Sequence, residues 1–124
     1  MTIRLGINGF GRIGRNVFRA LASRPDSGIE ITAVNDLTSA KTLAHLLKYD
    51  TVLGRFPGTV EASEGEIRVN GKGVKVFAEK DPAAIGWSDF GCSYVLESTG
   101  RFTKKADAST HVKGSVKRVI LSAP

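Results

Sequence analysis

The feature that most constrains this chain is a run of six residues, Gly9-Phe10-Gly11-Arg12-Ile13-Gly14, set between a strand pattern and a helix pattern. Before it, Ile3-Arg4-Leu5-Gly6-Ile7-Asn8 alternates and reads as a strand. After it, Ile13, Val17, Ala20 and Leu21 recur at helical spacing through Arg12 to Ser23. A G-x-G-x-x-G run that leaves a strand and opens a helix is the arrangement by which an α/β sheet holds a dinucleotide. The first glycine permits a tight turn, the second lets backbone approach a pyrophosphate, and the third lets helix and strand pack closely. The free N–H groups and positive end of the helix then face the phosphates. Asp36 follows 22 residues after Gly14, at the end of a second strand pattern, Ile29 to Asn35. A carboxylate there accepts hydrogen bonds from ribose hydroxyls and repels a 2′-phosphate. With 14 glycines in the chain, a glycine-rich turn in a nucleotide-free α/β domain is the competing reading. A P-loop is not, because it needs Lys then Ser or Thr where Arg15 and Asn16 stand.

Pro25 and Gly28 close the first helix and its loop. Asp36 to Ser39 supplies capping chemistry for a helix over Ala40 to Lys48, with Leu43, Leu46 and Leu47 on one side. Strand, helix, strand, helix is the signature of a parallel sheet with helices on its faces. The middle differs: Gly58 to Ala62, Glu66 to Asn70 and Gly73 to Ala78 are short β-like runs, the last two joined through Asn70-Gly71, a tight-turn signal. These predict a small antiparallel insertion. Asp81-Pro82-Ala83-Ala84-Ile85 begins a helical turn. Tyr94 to Thr99 reads as a strand, Lys104 to Val112 as a polar helix and Arg118 to Ser122 as the last strand. The fold class is α/β, a Rossmann-type doubly wound parallel sheet with that insertion.

At 124 residues the chain is the size of one domain. Hydrophobic residues at 41% and charged residues at 24% are those of a folded domain. No apolar run is long enough to span a bilayer, and the first residues lack the pattern of a secretory signal, so the cytosol is the expected compartment. The single cysteine, Cys92, excludes an internal disulfide and a cysteine-based zinc site. No metal site is expected. The net charge of +6 is uneven: residues 1–100 carry 12 basic against 11 acidic side chains, residues 101–124 six against one. A basic end can face nucleic acid or phosphate, but these charges are spread along a helix and a strand. The nine aromatic rings are scattered, without a stacking platform, so nucleic acid is not the expected partner.

Asn8-Gly9-Phe10-Gly11-Arg12-Ile13-Gly14-Arg15 closely resembles the opening of the phosphorylating glyceraldehyde-3-phosphate dehydrogenases. So do Ala33-Val34-Asn35-Asp36-Leu37, His45-Leu46-Leu47-Lys48-Tyr49-Asp50, Gly54-Arg55-Phe56, Glu79-Lys80-Asp81-Pro82, Glu97-Ser98-Thr99-Gly100 and Leu121-Ser122-Ala123-Pro124, in family order over essentially the whole chain. The resemblance implies NAD as cofactor. It implies that Arg12 and Ile13 contact the pyrophosphate beside Gly9, Gly11 and Gly14, that Asp36 holds the adenosine ribose, that Lys80 lies on the adenine side, and that Thr99, Gly100 and Ser122 line the pocket. For a full-length parent it implies glyceraldehyde 3-phosphate and phosphate as substrates and a homotetramer.

The family's nucleophile is a cysteine in a Ser-Cys-Thr-Thr-Asn motif after the Ser-Ala-Pro block, with a histidine base later still. Neither motif occurs here, so residues 1–124 are expected to form the NAD-binding domain, truncated before the catalytic one, with no catalytic residue. Cys92 reads as a small packing residue, and His45 and His111 as ordinary surface or packing histidines. Phe10 and Phe102 flank the expected pocket. Two rivals stand beside this reading: an erythrose-4-phosphate dehydrogenase, where Glu is commoner at the position of Asp36, and a non-catalytic nucleotide- or RNA-binding module.

Overall fold

The computed structural model describes residues 2–50, 54–81, 84–99, 111–112 and 114–121. The opening follows the periodicity: β1 (Ile3–Asn8), α1 (Arg12–Ala22), β2 (Ile29–Asn35) and α2 (Ala40–Lys48). Ser39 caps α2, its hydroxyl accepting from the Thr42 amide. The buried stripe of α2 is Leu43, Ala44 and Leu47, while Leu46 sits at its margin, 36% exposed. A short hairpin, β3 (Tyr49–Asp50) with β4 (Gly54–Arg55), follows. Then come β5 (Val60–Ser63), β6 (Glu66–Val69) and β7 (Lys72–Phe77), a 3-10 turn at Trp87–Phe90, β8 (Tyr94–Glu97) and β9 (Arg118–Leu121). The polar helix expected over Lys104 to Val112 lies, but for His111 and Val112, outside the described residues.

One sheet runs β5-β6-β7-β2-β1-β8-β9. From β7 to β9 every neighbouring pair is parallel, and β5, β6 and β7 form an antiparallel meander. The insertion therefore extends the main sheet through β7. Asn70 (φ 51°) and Gly71 (φ 84°) make the two-residue turn into β7, the left-handed pair that such a hairpin requires. Because β2 and β8 flank β1, the chain reverses its winding direction at β1, which opens a crevice at the carboxyl ends of β1 and β8.

Strand alternation sorts the side chains into two cores. Leu5, Ile7, Val34 and Leu96 face α1, α2 and the meander, where Phe18, Leu47 and Ile67 bury them. Ala33 and Val95 face the other way, onto Trp87, Ile85, Cys92 and Val116. Gly6 shares that second face, and a Cβ on it would lie 2.5 Å from the Trp87 ring, so the indole occupies the space a side chain would need. The register of β2 slips one residue at Thr32, and this bulge lets Thr32 Oγ1 donate to the Phe90 carbonyl at 2.9 Å.

Candidate functional site

Asn8, Asn35 and Glu97 are the last residues of β1, β2 and β8, and the register sets Asn8 directly beside both others. Beyond them a cavity of about 370 Å³ opens, and Gly9, Gly11, Asp36, Lys80 and Thr99 line it. Five of the ten residues singled out in the sequence thus meet in one crevice at the switch point of the sheet. Of the others, Arg12 is exposed, Ile13 is 50% exposed and Gly14 is buried in the first turn of α1. Gly100 and Ser122 lie outside the described residues. A slightly larger hollow, about 440 Å³, lies at the opposite ends of the strands against Phe18, Leu21, Val69 and Val74, with Thr2, Glu30, Asn70 and Lys72 also in its lining; it sits at the carboxyl end of α1, away from the glycine run.

The three glycines do three different things. Gly9 takes φ +91°, and its missing Cβ would meet the Thr99 amide nitrogen at 2.8 Å. Gly11 has open space where a side chain would stand, so the backbone there can be approached closely. A Cβ on Gly14 would lie 2.5 Å from the Gly9 carbonyl, which is the close contact of helix with loop. No side chain caps α1, and Arg15 N bonding Gly11 O is the first rung of the helix. The amides of Gly11 to Gly14 precede that rung and bond nothing outside the helix among the described residues. Arg15 Nη1 donates to the Phe10 carbonyl at 3.1 Å, and its buried Nε has no partner among the described residues.

Asp36 is half-buried and spans two loops. Its Oδ2 accepts from the Phe10 amide at 2.9 Å and its Oδ1 from the Thr38 amide at 3.0 Å. The carboxylate is therefore held at the lip of the crevice, against the glycine loop just before the start of α1. An uncapped helix end with a carboxylate beside it suits a ligand carrying phosphate at one point and hydroxyls at another. These residues fit a dinucleotide.

Beneath the crevice runs a buried polar chain that the sequence reading missed. Asn35 Nδ2 donates to Asn8 Oδ1 (2.8 Å), and Asn35 also bonds both backbone groups of Glu79. Asn8 Nδ2 donates to Glu97 Oε2 (2.7 Å), which also meets His111 Nε2 at 2.7 Å. Glu97 Oε1 accepts from the amide (3.1 Å) and the hydroxyl (2.6 Å) of Thr99. β8 ends at Glu97, two residues before the expected Thr99. The Trp87 indole can only donate, so at 3.2 Å it makes His111 Nδ1 an acceptor and leaves Nε2 to carry the proton toward Glu97. Burial pushes the Glu97 carboxyl up, but the bonds from His111, Thr99 and Asn8 outweigh it and hold it below the ordinary value. His111 is thus a packing residue with a carboxylate partner.

The remaining candidates lie elsewhere. Phe10 is 1% exposed and meets Phe18 edge-to-face, so it belongs to the core. Phe102 is outside the described residues. His45 is exposed on α2 beside Tyr49. Cys92 is fully buried in the second core; burial pushes its thiol up against the lowering effects of Thr32 and Arg4. A raised thiol pKa removes the thiolate that a nucleophile needs. Among the described residues no three His, Cys, Asp or Glu side chains gather as metal ligands, and no helix is long and apolar enough to cross a membrane.

Residues 3–105 match the family model described as glyceraldehyde 3-phosphate dehydrogenase, NAD binding domain. Glyceraldehyde-3-phosphate dehydrogenase 1 of Bacillus cereus is 64% identical over 121 residues, 98% of this chain and 36% of that protein. The protein of that name from Streptomyces arenae is 59% identical over 124 residues, 100% of this chain and 37% of its own. Glyceraldehyde-3-phosphate dehydrogenase of Geobacillus stearothermophilus is 56% identical over 124 residues, 100% of this chain and 36% of its own. The chain spans little more than a third of the length of these relatives.

Proposed function

The chain belongs to the glyceraldehyde-3-phosphate dehydrogenase family, whose NAD-binding domain it carries, and from that premise we propose that its crevice is the cofactor site of a phosphorylating dehydrogenase. NAD is the cofactor of this domain. The observation that carries the reading is the uncapped α1 N-terminus and, beside it, the Asp36 carboxylate, both on one cavity floored by strand ends. In this reading Gly9, Gly11, Arg12, Ile13 and Gly14 surround the pyrophosphate and Asp36 holds the adenosine ribose. Lys80 stands at the adenine end. Thr99, with Gly100 and Ser122, lines the remainder.

Bound NAD supplies a hydride acceptor. This chain's residues bind and orient it, and the thiolate and base belong to the substrate domain of a longer protein. Residues 1–124 are then the NAD-binding domain of an enzyme that oxidises glyceraldehyde 3-phosphate with phosphate uptake. A cytoplasmic homotetramer is the corresponding assembly. The names of the relatives lend no support to an erythrose-4-phosphate enzyme or an RNA-binding module.

Titration calorimetry of the 124-residue chain with NAD tests the site. One NAD per chain is expected, displaced by ADP-ribose, with Cys92→Ala binding as tightly as wild type. An absence of heat at millimolar NAD overturns the assignment. The same chain should form no NADH from the aldehyde and phosphate, and turnover abolished by Cys92→Ala would make that thiol catalytic.

A further inference from the structure

We propose that Glu97 is a positioning residue, the hub of a buried brace of Asn35, Asn8, Glu97 and His111 that fixes the loops after β1 and β8 against each other and so sets the shape of the crevice. The inference takes its ligand from the NAD reading above, but the mechanics of the brace do not depend on it.

Strand alternation puts Asn8, Asn35 and Glu97 on one face, and register puts them in one row. The bonds then run without a gap from the Glu79 backbone after β7, across the ends of β2, β1 and β8, to His111 and Trp87. The far end is packed into the core, Trp87 being fully buried in the space left by Gly6. At the near end Glu97 holds Thr99 by two bonds, and Thr99 abuts Gly9 closely enough to exclude a Cβ. Ser98 adds a second tie, its hydroxyl donating to the Gly9 carbonyl at 2.6 Å and its amide to Asn8 O at 2.8 Å. A displacement of Glu97 would therefore pull on Thr99, which packs against Gly9. A buried ionic hub is poor value as a stabiliser, since well-packed apolar groups often replace one without loss. What it supplies here is a defined geometry at a place where two loops must hold their spacing.

Among the described residues, four donors face the Glu97 carboxylate: Asn8 Nδ2, His111 Nε2, Thr99 N and Thr99 Oγ1. Gln has the same shape but one acceptor oxygen, so Glu97→Gln must turn its NH2 toward one pair of donors. The 124-residue chain is compared without ligand by amide hydrogen exchange and with NAD by calorimetry, in wild type, Glu97→Gln, His111→Leu and His111→Gln. In Glu97→Gln and His111→Leu the amides of Gly9, Ser98 and Thr99 should exchange roughly tenfold faster, the loss of one charge-assisted bond, while those of β6 and β7 keep wild-type rates. NAD affinity should fall by a similar factor. His111→Gln, whose amide restores an N–H toward Glu97, should recover most of both. Uniformly faster exchange through the sheet, unchanged rates at the three amides, or His111→Gln behaving as His111→Leu would each overturn the proposal. If wild type fails to bind NAD, the cofactor reading falls and the exchange measurements alone decide the brace.

Discussion

Glu97 Oε2 and His111 Nε2 stand 2.7 Å apart, 14 residues apart in sequence, with both side chains buried. The carboxyl of Glu97 is held below its ordinary value because its hydrogen bonds favour the charged form more than burial disfavours it. A carboxyl depressed on folding contributes stability above its unfolded pKa, and that contribution is lost as pH falls through the folded one. Wild type should therefore exceed Glu97→Gln in urea midpoint by a constant margin down to about pH 5, narrowing below about pH 4, the range of an ordinary glutamate. A margin unchanged at pH 3 would show that its charge is not the source.

Gly14 and Gly11 separate packing from approach. Gly14→Ala drives a Cβ into the Gly9 carbonyl, a backbone atom that cannot turn aside. We expect a loss of about 1–3 kcal/mol, the usual range for overpacking, read as a lower urea midpoint with unchanged slope. At Gly11 the same change meets nothing within 4 Å, so the fold should keep most of its stability while NAD binds more weakly. Equal stability losses for the two variants would refute the distinction.

Much of this architecture was legible in residue patterns. The β1-α1-β2-α2 order, the Asn70-Gly71 turn and the crevice position of Asp36 follow from local periodicity, turn chemistry and the glycine run. The brace did not, and the reason is physical. Asn8, Asn35 and Glu97 each read as a strand end, but their contact depends on parallel register between segments 27 to 89 residues apart. His111 lacked a visible partner because its carboxylate comes from the end of β8, 14 residues earlier. Trp87 and Gly6 form one packing unit across the sheet that no local spacing encodes.

That unit is itself testable. Gly6→Ala places a Cβ 2.5 Å from Trp87 Cε3 and 3.2 Å from Cys92 Sγ. The indole must shift, which strains its bond to His111 as well as the second core. A loss of about 1–3 kcal/mol is expected, with the emission of the single tryptophan changed before denaturation begins. Wild-type emission and midpoint together would mean the ring has room to spare.

In the proposed site, Asp36 is expected to set which dinucleotide the crevice prefers. Its carboxylate is anchored on both sides, by the Phe10 amide of the glycine loop and the Thr38 amide of the β2–α2 turn, so it cannot easily swing away from a ligand. Facing a ribose, it accepts hydroxyl bonds that contribute roughly 1.5–3 kcal/mol, about one to two decades of affinity. Facing a 2′-phosphate, it meets like charge. Thr38 and Lys80 line the same cavity and offer a phosphate a hydroxyl and an ammonium; the anchored carboxylate at the ribose is expected to outweigh them. Asp36→Ala should thus weaken NAD and bring the two cofactors closer in affinity. It also removes the anchor from both loops, so Asp36→Asn, which keeps an acceptor oxygen without the charge, separates the causes: charge repulsion is at work if Asn alone narrows the gap. Dissociation constants for NAD and NADP in the three proteins check this. Equal wild-type affinities, or a ratio unmoved by both substitutions, would show that Asp36 does not face the ribose.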